Sequence, residues 1–126
     1  MKMKCILVVD DEPGMRAVIE DALSADYAIT CVADGKKALG LLARQDFDLI
    51  ITDVLMPEMD GIELLLTMRK IKPQQKFIVI SGGNTITGHF DSLRAAELLG
   101  RCRGLRKPFQ MAELRAATSA VLTMQK

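Results

Sequence analysis

The chain has 126 residues, of which 49% are apolar and 4% aromatic, and its formal net charge is +1. This length is typical of a single domain with its own core. A net charge close to zero gives no overall field that would attract nucleic acid or an anionic membrane, and no apolar stretch approaches the roughly 20 residues of a membrane-spanning helix.

Short β-branched runs alternate with longer amphipathic ones along the first half of the chain. Cys5–Val9 is a continuous apolar run, which is typical of a strand covered on both faces. Pro13 suits the first turn of the helix that follows. Tyr27–Val32 predicts a second strand, Asp34 can cap a second helix, and Phe47–Thr52 predicts a third strand.

The second half of the chain continues this alternation. Asp60 can cap a third helix that ends before Pro73, and Lys76–Ile80 predicts a fourth strand. A helix is expected over Phe90–Leu99 and a weaker fifth strand near Arg103–Arg106. A last helix places three apolar residues on one face: Met111, Leu114 and Val121.

Five strands alternating with five helices predict a doubly wound α/β domain with a five-stranded parallel sheet. Right-handed crossovers limit the topology, and the flavodoxin-like strand order 2-1-3-4-5 is the common arrangement for five strands. We expect one domain over residues 1–126, with no repeat and no linker.

The three cysteines show no CxxC motif and no metal-ligand spacing. Cys5 and Cys31 lie in apolar strand-like runs, so we expect them to be small buried residues in a reducing compartment. The sequence therefore favours a cytoplasmic protein.

Polar side chains follow the predicted strands. Asp10 and Asp11 come after the first strand, Asp53 after the third, Ser81 after the fourth and Lys107 after the fifth. Because ligands of open parallel sheets bind beyond the carboxyl ends of the strands, we expect all five to line one rim. Clustered carboxylates favour a hard cation such as Mg²⁺, and a carboxylate can act as a nucleophile on phosphorus. Spacing and composition do not rank the three acids as nucleophiles.

Four motifs occur in order along the chain: Leu7–Pro13 (LVVDDEP), Asp53–Gly61 (DVLMPEMDG), Ile80–Gly82 (ISG) and Lys107–Phe109 (KPF). Together they resemble the receiver domain of two-component response regulators, of the single-domain chemotaxis-regulator type. The resemblance spans essentially the whole chain, and several spaced motifs in the right order make it specific.

The resemblance implies a phosphoacceptor and a magnesium site. Asp53 would accept the phosphoryl group and also contact Mg²⁺. Asp11 would bind Mg²⁺ directly and Asp10 mainly through water, with the Leu55 backbone carbonyl as a further ligand.

The resemblance also implies how the phosphoryl group is delivered and read. Lys107 would pair with it, ahead of a cis Lys107-Pro108 bond, and Ser81 would donate its hydroxyl to a phosphoryl oxygen. The donor would be a histidine kinase or histidine phosphotransfer protein, and an unidentified downstream protein would receive the signal. The chain would catalyse its own phosphorylation and dephosphorylation without turning over a separate substrate, as a monomer or weak dimer.

Two departures from the receiver pattern change the expected output. Gly104 occupies the position, three before the lysine, where receivers usually carry an aromatic residue, so we predict that output does not run through aromatic burial in strand 5. The segment from Ser81 to Lys107 is longer than usual, with the excess near Gly82–Gly88. That loop is either simply longer and mobile, or it transmits the state of Asp53.

Other protein classes fit the acidic cluster less well. Phosphatases of the haloacid dehalogenase type place their acids as D-x-D, whereas Asp10 and Asp11 are adjacent, and a flavodoxin-like carrier needs a hydroxyl-rich loop at that point. The chain could be a receiver cut from a longer, for example DNA-binding, regulator, or a phosphorylation-independent interaction module. The last predicted helix runs almost to Lys126, which favours a free-standing protein.

Overall fold

The computed structural model describes residues 3–56, 59–82 and 100–124. The strands are β1 (Cys5–Val9), β2 (Ala28–Val32), β3 (Leu49–Asp53), β4 (Phe77–Ser81) and β5 (Cys102–Arg106). The helices in this part of the chain are α1 (Pro13–Leu23), α2 (Gly35–Leu42), α3 (Gly61–Ile71) and α4 (Met111–Leu122). The helix expected over Phe90–Leu99 and nearly all of the long loop after Ser81 lie outside the described residues.

The five strands form one parallel sheet in the order β2-β1-β3-β4-β5, which confirms the predicted topology. At the carboxyl ends of the strands, Val9 pairs with Thr52 and Asp53 pairs with Ile80. This register brings the residues that follow β1, β3 and β4 to one edge of the sheet.

Side chains of each strand alternate between two apolar layers. On β1, Leu7 and Val9 pack in the layer that includes α2 and α3, whereas Ile6 and Val8 pack in the layer with α1 and α4. The sheet is thus covered on both faces, as its continuous apolar runs predict. Among the described residues, no helix is long and apolar enough to cross a membrane.

Local chemistry starts the helices where the sequence predicts. Pro13 occupies the first helical position of α1, and the Asp34 carboxylate accepts a hydrogen bond from Lys37 N at 2.8 Å. Asp60 and Glu63 form a reciprocal capping box at the start of α3, and α3 ends at Ile71, two residues before Pro73. The caps orient the loops that precede these helices.

Several strand boundaries differ from the prediction, most clearly in β3, which spans Leu49–Asp53 rather than Phe47–Thr52. Phe47 is buried in the core, and Asp48 is held by a hydrogen bond from Cys5 N to its carboxylate at 2.7 Å, so the ladder begins later. At the other end Val54 N donates to Ile80 O at 2.8 Å, which keeps Asp53 within the strand.

The expected burial of two cysteines is wrong. Cys5 and Cys31 are only half-buried, whereas Cys102 is buried, and all three are free thiols. Cys31 lies on the edge strand β2, and Cys5 is the first residue of β1, so each keeps contact with solvent.

Candidate functional site

Three carboxylates meet at the carboxyl edge of the sheet, as the sequence predicts. One oxygen from each of Asp10, Asp11 and Asp53 lies within 4.8 Å of the other two. Asp10 is 1% exposed and Asp53 is 6% exposed, while Asp11 lies at the surface. The cluster therefore has a buried base and an open mouth.

Both oxygens of the Asp53 carboxylate have hydrogen-bond donors. Lys107 Nζ donates to Oδ2 at 3.2 Å, and Leu55 N donates to Oδ1 at 3.3 Å. These two contacts fix the plane of a nearly buried carboxylate and leave it beside the other two acids.

The loop after Asp53 returns so tightly that it requires a glycine. Gly61 N donates to Val54 O at 3.0 Å, and a Cβ at Gly61 would lie 2.2 Å from Asp53 O. Any side chain there would push α3 away from the end of β3, so Gly61 sets the position of the loop that carries Leu55.

The Asp10 carboxylate is only partly satisfied by the protein. Its Oδ1 accepts from Glu12 N at 2.9 Å, whereas its buried Oδ2 has no hydrogen-bond partner among the described residues. The guanidinium of Arg16 donates from Nη1 to Asp10 O at 2.6 Å and so anchors the backbone of this acid. An unpartnered buried carboxylate oxygen is costly unless a cation or proton meets it.

Burial and charge shift the ionisation of two groups in the site. Burial raises the pKa of Asp10 to about 6, with the charges of Asp53 and Asp11 adding to the effect and the Glu12 N–H and Lys107 opposing it. Burial by itself would lower the pKa of Lys107. The negative charge of Asp53 and its hydrogen bond with Lys107 outweigh this effect, together with the charges of Asp10 and Glu12, so the pKa of Lys107 lies above its usual value. Lys107 is therefore a firmly protonated cation.

Lys107 is held at the rim by β4 and β5. Its N–H donates to Ser81 O at 2.8 Å, and the Lys107-Pro108 peptide bond is cis, which confirms that expectation. Ser81 is the last residue of β4 and is 2% exposed. Lys107 Nζ also lies 3.6 Å from Glu12 Oε1, so this ammonium group is shared between a buried and an exposed acid.

The structure brings the predicted site residues to one edge of the sheet and adds two that the sequence did not single out. Glu12 lies 3.6 Å from the ammonium group of Lys107, and Arg16 donates a hydrogen bond to the backbone carbonyl of Asp10. Glu12 stands inside the LVVDDEP motif, but nothing in the sequence indicates that it faces a lysine 95 positions away. Arg16 lies in the first turns of α1, where an exposed basic residue would be unremarkable.

The donor set fits a divalent cation that prefers oxygen ligands. The cluster offers only carboxylates, one of which carries the unpartnered Asp10 Oδ2, and the backbone of Leu55 runs beside it. Asp10, Asp11 and Asp53 are the residues that could hold such an ion.

The comparisons with known proteins point to one family. The family model described as response regulator receiver domain matches residues 6–119. Sporulation initiation phosphotransferase F of Bacillus subtilis is 31% identical over 121 residues, which cover 95% of this chain and 94% of that protein. The sensor histidine kinase TmoS of Ectopseudomonas mendocina is 36% identical over 95% of this chain, but the chain spans only 12% of that protein.

Solved structures agree with this result. A response regulator receiver domain protein from Clostridium thermocellum superposes with a TM-score of 0.85 at 27% sequence identity, covering 95% of this chain and 94% of that one. Fold, site geometry and sequence similarity therefore coincide over nearly the whole chain. The chain belongs to the response regulator receiver domain family, whose members are phosphoacceptors in two-component signalling.

Proposed function

We propose that Asp53 is the phosphoacceptor of this receiver domain and takes its phosphoryl group from a phosphohistidine on a histidine kinase or histidine phosphotransfer protein. The observation that carries the proposal is the held orientation of the Asp53 carboxylate, between Lys107 Nζ and Leu55 N, beside two further acids. A fixed carboxylate oxygen is suited to attack phosphorus in line with the leaving nitrogen.

The surroundings of the three acids favour Asp53 over the other two as nucleophile. Asp10 has its pKa raised to about 6 by burial, so it holds a proton more readily than an ordinary aspartate does. Asp11 lies at the surface, whereas Asp53 is nearly buried and is paired with a lysine. In the proposed step, an Asp53 oxygen forms the new bond to phosphorus while the P–N bond of the donor breaks and its electron pair stays on the imidazole.

The cation in this proposal is Mg²⁺, held by Asp10, Asp11, Asp53 and the backbone carbonyl of Leu55. The unpartnered Oδ2 of Asp10 supports the assignment, since a cation would satisfy it. When bound, Mg²⁺ supplies positive charge that offsets the clustered carboxylates and the oxygens of the transferring phosphoryl group.

Two other side chains would bind the phosphoryl group. Lys107 contacts the Asp53 carboxylate. In this proposal, its ammonium group pairs with a phosphoryl oxygen once the acyl phosphate forms. Ser81, buried at the end of the neighbouring strand, would donate its hydroxyl to a second oxygen. These contacts exist only in the phosphorylated state, so they shift the population between two conformations.

The proposal also covers the domain organisation of the chain, its partners and its localisation. The chain acts as one domain over residues 1–126, catalyses its own phosphorylation and dephosphorylation, and has no separate substrate. It signals to a protein partner as a monomer or weak dimer, without binding nucleic acid or membrane, and its free thiols are in keeping with the cytoplasm. The match to a short segment of TmoS supports the alternative context, a receiver within a longer protein.

Intact mass spectrometry after incubation with acetyl phosphate and Mg²⁺ tests the assignment. We expect one phosphate-sized increment on the wild type, and none with EDTA or on Asp53→Ala or Asp53→Asn. The Asn variant keeps the shape of the side chain and so controls for misfolding. An adduct that persists on both variants would refute Asp53 as the acceptor, and so would a wild type that forms neither an adduct nor a beryllofluoride complex.

A further inference from the structure

An open apolar groove runs between α2 and α3, away from the acidic cluster. It has a volume of about 240 Å³, and six residues line it: Leu39, Leu42, Ala43, Thr67, Met68 and Ile71. Both helices begin at the carboxyl edge of the sheet and run back along it, so these residues, in the second half of each helix or directly after it, lie toward the opposite end of the domain.

An exposed apolar residue on the α3 wall leaves part of the groove accessible to solvent. Ile71 is 62% exposed, the highest value among the large apolar side chains of the described residues. The other wall consists of Leu39 and Leu42 on α2 and of Ala43 directly after it. A second helix lying over the groove would bury Ile71.

The end of the groove is positively charged. Arg44 follows Ala43 at the end of α2, and Lys70 precedes Ile71 at the end of α3; both are exposed, and neither forms an ion pair within the described part of the chain. The nearby Lys72 is already paired with Asp46. The two unpaired cations are thus left to attract acidic groups beside an apolar surface.

We propose that this groove is a docking site for an amphipathic helix of a partner protein, with apolar residues at positions i, i+4 and i+7 and acidic residues facing Arg44 and Lys70. Such a helix would bury its apolar face in the groove and pair its carboxylates with the two cations. A second copy of this chain is a poorer occupant, because a two-fold contact brings the same patch to itself, and the acid placed beside it, Asp46, is already paired with Lys72.

The test uses a designed helical peptide as the probe, with leucines at i, i+4, i+7 and i+11 and glutamates on the flanking positions. Binding is followed by fluorescence anisotropy, and the contacted residues are mapped by amide chemical shifts. A peptide with lysines in place of the glutamates is the charge control. Neither Mg²⁺ nor acetyl phosphate is present, so the result does not depend on the phosphoacceptor function.

Two matched variants on α3 separate the groove from general surface effects. Ile71→Asp, within the groove, is expected to weaken binding by at least about tenfold, the loss associated with burying one aliphatic side chain. Leu66→Asp is the control, since Leu66 is 47% exposed on the same helix but does not line the groove, and it should change the Kd by less than about twofold. Arg44→Glu with Lys70→Glu should reverse the preference between the two peptides.

The proposal is supported if the glutamate peptide binds more tightly than the lysine peptide, shifts amides of α2 and α3, and loses affinity with Ile71→Asp but not with Leu66→Asp. Equal effects of Ile71→Asp and Leu66→Asp would overturn it, as would equal affinity for the two peptides. Sedimentation showing a wild-type dimer that Ile71→Asp dissociates would replace the partner helix with a second copy.

Discussion

Replacing Asp10 with asparagine should stabilise the protein when no divalent cation is present. The new amide side chain keeps an oxygen to accept from Glu12 N, as Asp10 Oδ1 does at 2.9 Å. Its NH₂ group then takes the place of the unpartnered Oδ2 and offers hydrogen-bond donors to the carboxylates of Asp53 and Asp11. The substitution therefore removes a buried, repelled charge without removing the hydrogen bond that the protein uses.

The size of the effect follows from the ionisation of Asp10. Its pKa is raised from 3.8 to about 6, and one pKa unit corresponds to about 1.4 kcal/mol, which gives an upper bound of about 3 kcal/mol at neutral pH. Because the cluster opens to solvent at Asp11, we expect a gain of about 1–3 kcal/mol in the free energy of unfolding.

The same pKa shift predicts how the stabilisation by Asp10→Asn depends on pH. Between about pH 4 and pH 6 the native state holds a proton on Asp10 that the unfolded state has released, so the contribution of Asp10 to the free energy of unfolding in EDTA should fall as the pH rises through this window. Asp10→Asn lacks this group. Its advantage should therefore be small near pH 4 and fully present above pH 6.

Urea unfolding measures the difference in the free energy of unfolding between wild type and Asp10→Asn. The two proteins are compared in EDTA at pH 4.5 and pH 7.5, and then with excess Mg²⁺. Saturating Mg²⁺ at about 100 times its Kd should stabilise the wild type by about 2.7 kcal/mol and the variant by much less. Asp21→Asn, an exposed acid on α1, is the control and should change stability by less than about 0.5 kcal/mol. An Asp10→Asn protein that is less stable than wild type in EDTA at pH 7.5 would refute the reasoning.

Three further substitutions test other parts of the site. Gly61→Ala should destabilise the protein by more than about 2 kcal/mol in urea unfolding, because its Cβ would lie 2.2 Å from Asp53 O. The control, Gly40→Ala, has open space around it and should stabilise the protein by about 0.5–1 kcal/mol. Similar effects of the two substitutions would contradict the close approach of Gly61 to Asp53. Ser81→Ala should leave labelling by acetyl phosphate largely intact while reducing the amide shifts induced by beryllofluoride; equal loss of both would count against its role. Lys107→Met removes a cation 3.2 Å from Asp53 and should therefore tighten Mg²⁺ binding by up to about tenfold in calorimetric titration. It should also abolish the amide shifts that beryllofluoride induces. Weaker Mg²⁺ binding would contradict the pairing of Lys107 with Asp53.

The sequence by itself determined the architecture and the place of the site. Continuous apolar runs such as Cys5–Val9 indicated strands covered on both faces, and Pro13, Asp34 and Asp60 marked helix starts that the structure confirms. These features are predictable because capping and periodicity act between residues a few positions apart. Topological rules then brought the strand ends, and with them Asp53, to one edge.

Only the tertiary structure decided how the site is held together. Three contacts depend on the exact distances between separate elements. They are the hydrogen bond from Arg16 to Asp10 O, the pairing of Lys107 with both Asp53 and Glu12, and the close approach of Gly61 to Asp53 O. The half-burial of Cys31 likewise follows from its position on the edge strand, which the apolar run around it does not reveal. Such contacts join residues whose local sequence is compatible with many partners, so packing of the whole chain selects among them.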